Sequence, residues 1–259
     1  MIKIYNEDCL KTMARMPDNC IDLTVTSPPY DNLRTYNGEL QWNETIWKAI
    51  IKDLFRVTKK GGVVVWVVND ATIKGSETGT SFKQALYFKE IGFNLHDTMI
   101  YLKPSFSAVG ALATRYAPVF EYMFVFSKGK IKTFNPIKDR KNKCAGEVRT
   151  GTIRQKDGTT KPMSKVITIA EYGQRFNVWK ISSQKQEGHS APFPEKLAEG
   201  HILSWSNEGD LVYDPFLGSG TTMKMAKILK RNFIGSEKVK KYCEIAIERL
   251  KNETSHTTT

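Results

Sequence analysis

Between Asp210 and Leu250 the chain twice runs from strand through turn to helix, and that alternation leaves few folds open. Asp210-Leu-Val-Tyr-Asp214 reads as a strand, Asp214-Pro-Phe-Leu-Gly-Ser-Gly-Thr-Thr222 as a glycine-rich turn, and Thr222 to Leu229 as a helix. Asn232-Phe-Ile-Gly-Ser-Glu237 follows as a strand ending in an acid, and Lys240 to Leu250 as an amphipathic helix. The first half repeats the rhythm. Ile21 to Thr26 alternates apolar and polar residues and stops at Ser27-Pro-Pro-Tyr30, while Ile50, Ile51, Leu54, Phe55 and Val57 recur at helical spacing between Trp47 and Thr58. Lys59-Lys-Gly-Gly62 is the expected helix stop, followed by a buried strand from Gly62 to Val68. Phe82 to Ile91 reads as a helix ended by Gly92, Leu95 to Tyr101 and Tyr122 to Phe126 as strands, and Glu195 to Ser204 as a short helix. Strands alternating with helices predict an α/β fold on an open, mostly parallel sheet.

A parallel sheet binds ligands at the carboxyl ends of its strands, and two turns fall there. In the first, Gly218 and Gly220 let backbone amides come close to a ligand, and Glu237, about 20 positions on, can accept hydrogen bonds from ribose hydroxyls. The turn has no Gly-Lys-[Ser/Thr] and no Gly-x-Gly-x-x-Gly, so an adenosine without phosphates fits it better than a nucleotide. A plain tight turn and a solvated strand end would use the same residues. In the second, an aromatic amine could be activated. Its nitrogen lone pair is delocalised into the ring until acceptors hold its hydrogens, and the Ser27 hydroxyl and the Pro28 carbonyl are two such acceptors. Pro28 and Pro29 stiffen the turn, and Tyr30 offers a face on which an extruded base can stack. Taken alone, Ser-Pro-Pro-Tyr also describes an ordinary turn.

Charge bears on the acceptor. The net charge is +12, and residues Lys128 to Lys185 hold 15 Lys/Arg against 4 Asp/Glu, so nearly all the excess lies in one segment of weak periodicity. Single-sign charge confined to an insert is what phosphate neutralisation requires. Cys9, Cys20, Cys144 and Cys243 show no metal-ligand spacing, and no metal is expected. The first residues do not resemble a signal peptide and no apolar run approaches membrane length, so a soluble cytoplasmic protein, with no membrane partner, is expected.

With both turns identified, the chain resembles the DNA amino-methyltransferases in the circularly permuted order called the β class. Thr26-Ser-Pro-Pro-Tyr30 matches their catalytic motif IV and Asp214-Pro-Phe-Leu-Gly-Ser-Gly-Thr-Thr222 their motif I, over roughly Met1 to Leu250. The resemblance implies a Rossmann-like, circularly permuted, seven-stranded sheet flanked by helices. It also implies S-adenosylmethionine as cofactor and double-stranded DNA as partner, and leaves a homodimer open. Catalysis would fall to Ser27, Pro28, Pro29 and Tyr30, with Asp8 of Asn6-Glu-Asp-Cys-Leu10 facing the base, although taken by itself Asp8 reads first as a helix N-terminal acid. Cofactor binding would fall to Asp214, Pro215, Phe216, Gly218, Ser219, Gly220, Thr221, Thr222 and Glu237, and to His189 and Pro192 of His189-Ser-Ala-Pro-Phe-Pro194. The implied domains are 1–127 with 189–250 for catalysis and cofactor, 128–188 for target recognition, and a disordered tail at 251–259.

The expected reaction is direct methyl transfer to the exocyclic amino group of a flipped base, with a slight lean to the 4-amino group of cytosine over the 6-amino group of adenine. Carbon-5 methylation is set aside, because it needs a Pro-Cys loop and the chain has no such pair. The rivals are an RNA or small-molecule methyltransferase, a catalytically silent DNA-binding protein, and a dehydrogenase, which would need the pyrophosphate loop that is missing here.

Overall fold

Runs of β-branched and aromatic residues build the central strands, which are buried on both faces. The computed structural model describes residues 1–29, 42–104, 114–163, 166–182 and 194–255. Contacts divide the chain into two compact units, Met1–Asn135 with Asn177–Thr259, and Pro136–Phe176.

The first unit is built on eight strands: β1 (Ile2–Tyr5), β2 (Ile21–Thr26), β3 (Thr58–Val68), β4 (Asn94–Leu102), β5 (Phe120–Ser127), β6 (Val178–Lys180), β7 (Leu211–Asp214) and β8 (Asn232–Ser236). Their spatial order is β1-β8-β7-β2-β3-β5-β4-β6. β5 runs antiparallel to β3 and β4, and all other neighbours pair in parallel, so the fold is the expected Rossmann-like α/β sheet. The sheet has one strand more than expected. β6 is too short to show an alternation, and it joins β4 with Val178 opposite Ile100.

Helices α1 (Cys9–Ala14), α2 (Glu44–Val57) and α3 (Thr80–Ile91) cover one face. On the other lie α4 (Glu195–Trp205) and α5 (Thr221–Ile228), with α6 (Lys240–Ser255) against α5. α2 starts where Asn43 Oδ1 accepts the Ile46 amide at 3.1 Å. It lays Trp47, Ile50, Ile51, Leu54 and Val57 on Val64, Trp66 and Val68 of β3. Side chains of this size contribute about 1.5–3 kcal/mol each when fully buried.

Lys59-Lys-Gly-Gly62 is not a helix stop, because β3 begins directly after α2. Ile21 faces Thr58 and Leu23 faces Val63, so the extra residues of β3 bulge, with Gly61 at φ +82°. Lys128, the first residue of the basic segment, closes the end of α2: its Nζ donates to the carbonyls of Phe55 at 2.6 Å and Thr58 at 2.9 Å. Those bonds lie at the amino edge of β3. At the other end of the chain, α6 continues past Leu250 to Ser255, so within the expected tail only 256–259 lie outside the described residues.

Candidate active site

β7 connects through α5 to β8 on one side, while β2 connects through α2 to β3 on the other. Chains leaving two adjacent parallel strands in opposite directions open a crevice at their carboxyl ends. Both sequence motifs meet in it. β2 pairs with β7 through Leu23 and Val212, and Thr24 and Tyr213, which brings Ser27 and Asp214 to the same edge. The Thr26 hydroxyl donates to Asp214 Oδ1 at 2.6 Å, and the Thr222 hydroxyl donates to the Val25 carbonyl at 3.2 Å. Ser27 is half-buried beyond the strand end, with Pro28 and Pro29 buried behind it. Tyr30, His189 and Pro192 lie outside the described residues.

The glycine turn divides by exposure. Asp214, Pro215, Ser219, Gly220, Thr221 and Thr222 are buried, whereas Phe216 and Gly218 reach the surface in part. Glu237 stands across from Gly218, its Oε2 accepting the Gly218 amide at 2.9 Å and its Oε1 the Val239 amide at 2.8 Å. Each oxygen keeps a second lone pair for a ribose hydroxyl. Burial raises the Glu237 carboxyl above its ordinary range. The partly exposed aromatic ring, amide and carboxylate suit an uncharged adenosine. Gly220 has φ +84°, and a Cβ there would come within 2.9 Å of Met223 Cε and 3.0 Å of Ala246 Cβ. The loop is thus packed tightly from beneath by α5 and α6.

Several buried loop residues act on the loop itself. Asp214 accepts the Phe216 amide at 3.0 Å as well as the Thr26 hydroxyl. Ser219 is held by Arg249, whose Nη1 donates to its carbonyl at 2.7 Å. Arg249 Nη2 also reaches Glu195 at 2.8 Å, and Lys224 pairs with the same carboxylate at 3.0 Å. Glu195 directly follows the His189–Pro194 segment, so this network ties its far end to the turn. Sequence reasoning quoted Thr26 in its motif without giving it a role, and missed Glu195 and Arg249, for which no local pattern signals the contact.

Aromatic residues complete the crevice. Trp42 meets Phe216 edge to face at 5.6 Å, and Trp66 approaches the same ring at 6.1 Å. Asp8 is not brought to Ser27 by any described contact. It caps α1, accepting the Leu10 amide at 2.9 Å, and pairs with Lys238 at 3.4 Å. Two strands separate β1 from β2, so Asp8 lies on the Glu237 side of the crevice.

Burial pushes the Asp214 carboxyl up to about 6, against the hydrogen bonds from Thr26 and Phe216. Its folded value exceeds the ordinary 3.8, so its contribution to stability is whole below about pH 4 and is lost as pH rises through about 6. Asp214→Asn keeps an acceptor without the buried charge. The variant is expected to be more stable than the parent at about pH 8, by ~2–3 kcal/mol, with the gain closing at about pH 4. Urea unfolding at the two pH values checks this, and equal stabilities at the higher one would refute it. Burial also raises the thiols of Cys9, Cys20 and Cys243, the opposite of an activated nucleophile. Among the described residues no group of three or more His, Cys, Asp or Glu could hold a metal ion, and no helix is long and apolar enough to cross a membrane.

Comparison with known proteins identifies the family and the fold. A profile described as "DNA methylase", of the N6/N4 methyltransferases, matches residues 21–248. The chain is 57% identical over 246 residues to the orphan methyltransferase M.BamHII of Bacillus amyloliquefaciens, covering 91% of this chain and 90% of that protein. It is 28% identical to the type II methyltransferase M.BglII of Bacillus subtilis, over 97% of this chain and 69% of that one. In structure it is similar to the PvuII DNA methyltransferase, described as cytosine-N4-specific, with TM-score 0.71 and 22% identity over 96% of this chain and 86% of that one. It is also similar to M1.HpyAVI, solved as a complex with SAM, with TM-score 0.63 and 22% identity over 96% of this chain and all of that one.

Proposed function

This chain belongs to the N6/N4 family of DNA methylases, and from that premise we propose that its Ser27-Pro-Pro loop methylates the 4-amino group of cytosine. The enzyme is a DNA amino-methyltransferase that uses S-adenosylmethionine. The observation that carries the site assignment is the Thr26 to Asp214 hydrogen bond, which joins the end of the amine loop to the start of the cofactor turn.

The turn residues fit the cofactor. Glu237 would hold its ribose hydroxyls, Phe216 would lie against it, and the Gly218 amide would line the site beside the carboxylate. The bound group supplies an electrophilic methyl. The chain does the rest: Ser27 Oγ and the Pro28 carbonyl accept the two amine hydrogens, which makes the nitrogen pyramidal and frees its lone pair. The buried prolines hold both acceptors in place, so little reorganisation is needed. Tyr30 would stack on the extruded base.

The choice of cytosine rests on the loop chemistry. Ser27 is an uncharged acceptor where the adenine-directed members commonly carry an aspartate, and the cytosine-N4-specific PvuII enzyme shares the fold. The basic segment would neutralise DNA phosphates. Incubating the protein with labelled cofactor and a randomised duplex, then sequencing the product at base resolution, tests all of this. Label in N4-methylcytosine within one sequence is the expected result. N6-methyladenine would overturn the choice of base, and absence of transfer would overturn the assignment of the loop.

A further inference from the structure

The second unit, Pro136–Phe176, has an architecture that its sequence hides. Arg140 and Lys141 pair antiparallel with Gly173 and Tyr172, Val148 and Arg149 with Thr168 and Ile167, and Thr152–Arg154 with Pro162–Thr160. The three short ladders are nested. Together they form one two-stranded ribbon, with left-handed glycines Gly146 and Gly151 where the ladders break. It folds back at Gln155–Thr159. There the Gln155 amide donates to the Thr159 carbonyl at 2.6 Å, and Asp157 Oδ1 accepts the Thr159 amide at 2.9 Å and its hydroxyl at 2.7 Å. The tip is therefore ordered by its own bonds.

None of the described residues of this unit is buried. Val148 is 55% exposed, Ile153 50% and Ile167 52%, so the apolar side chains of the ribbon have no core to enter. An isolated two-stranded ribbon is marginally stable in water and gains from a partner. The chemistry of that partner follows from charge and shape. The unit holds ten Lys/Arg against four Asp/Glu, and the major groove of B-DNA, about 12 Å wide, admits a two-stranded ribbon between its phosphates.

We propose that the ribbon enters the major groove of duplex DNA tip first and reads sequence there with Arg154. Directly opposed residues share a face, so Arg154 stands with Thr160 on one face of the last ladder and Lys161 with Ile153 on the other. Arg154, which is exposed, has the fork that matches a guanine edge. Arg149, Lys156 and Lys161 neutralise phosphates and fix register. This rests on the reading of the chain as a DNA methyltransferase and adds the groove, the element and the residues.

The test replaces Arg154–Thr160 by Asn-Gly, a two-residue turn suited to closing the ladder at Ile153 and Lys161. The shortened protein should bind cofactor like the parent, which verifies its fold. It should methylate the parent's sequence at least about 100-fold less efficiently and with a smaller salt dependence of duplex binding. R154A should relax preference at one base pair by about tenfold or more. Duplex carrying glucosylated 5-hydroxymethylcytosine only at positions other than the methylated base, bulky in the major groove, should be refused, whereas a minor-groove ligand should not compete. A shortened protein that keeps the parent's sequence and rate, or a minor-groove ligand that blocks while glucosylated DNA is accepted, would overturn the proposal. Ribbon-dependent duplex binding without methyl transfer by the parent would instead sink the enzymatic reading and leave this one standing.

Discussion

Replacing Ser27 by alanine is expected to lower kcat about 100- to 1,000-fold while leaving the Kd for S-adenosylmethionine unchanged. The effect follows from where the residue sits. Ser27 comes directly after Thr26, whose hydroxyl is fixed on Asp214 at 2.6 Å, and directly before two buried prolines. Its backbone is thus held by groups that the substitution does not touch. On the proposed assignment, alanine would remove one acceptor for the amine and nothing from the cofactor turn, where Phe216, Gly218 and Glu237 stand. Binding and turnover should therefore separate, because a contact made only as the amine reacts appears in kcat. Single-turnover methylation with calorimetric cofactor binding reads both quantities, and a kcat within threefold of the parent would show that Ser27 does not hold the amine.

Replacing Glu237 by alanine should do the converse and weaken cofactor binding about 100-fold or more. Two charge-assisted hydrogen bonds to ribose hydroxyls are together worth ~3 kcal/mol or more, which is ~100-fold in Kd. The substitution also leaves the amides of Gly218 and Val239 without their acceptor, so the turn loses its anchor at the same step. Glu237→Gln keeps acceptor oxygen but not the charge, and should fall between. Because burial raises the Glu237 carboxyl, cofactor affinity should start to fall at a higher pH than for an ordinary carboxylate as the solution is acidified. A thermal-shift titration with cofactor measures the loss, and an alanine variant that binds as tightly as the parent would remove Glu237 from the site.

Much of the fold was legible because its signals are local. The helical spacing of Ile50, Ile51, Leu54 and Val57 reports which face of α2 is buried, whereas the alternation in Ile21–Thr26 marks a strand but not its burial, since Thr24 and Thr26 are buried as well. Other features were legible only in part. Gly61 and Gly62 looked like a helix stop, because glycine favours a bulge and a turn for the same conformational reason. The three residues of β6 carry no period, and their place is set by pairing with β4. Lys128 counted toward the basic segment as a charge, yet it spends its amine on the end of α2, a contact between residues more than 70 positions apart.

The same division runs through the site. The sequence by itself determined the chemistry of the two turns, since a stiff pair of prolines, a close-approach glycine and a strand ending in an acid are properties of a few adjacent residues. Only the tertiary structure decided which of those residues are buried and which stay accessible. Inserting β7 between β8 and β2 turned Asp214, Ser219, Thr221 and Thr222 inward and left Phe216, Gly218 and Glu237 at the crevice. Only pairings far apart in sequence put β1, which precedes Asp8, two strands from β2, and closed residues 140–173 of the basic segment into short antiparallel ladders. Such outcomes depend on strand pairings between distant parts of the chain, and those pairings are chosen by the burial of whole faces.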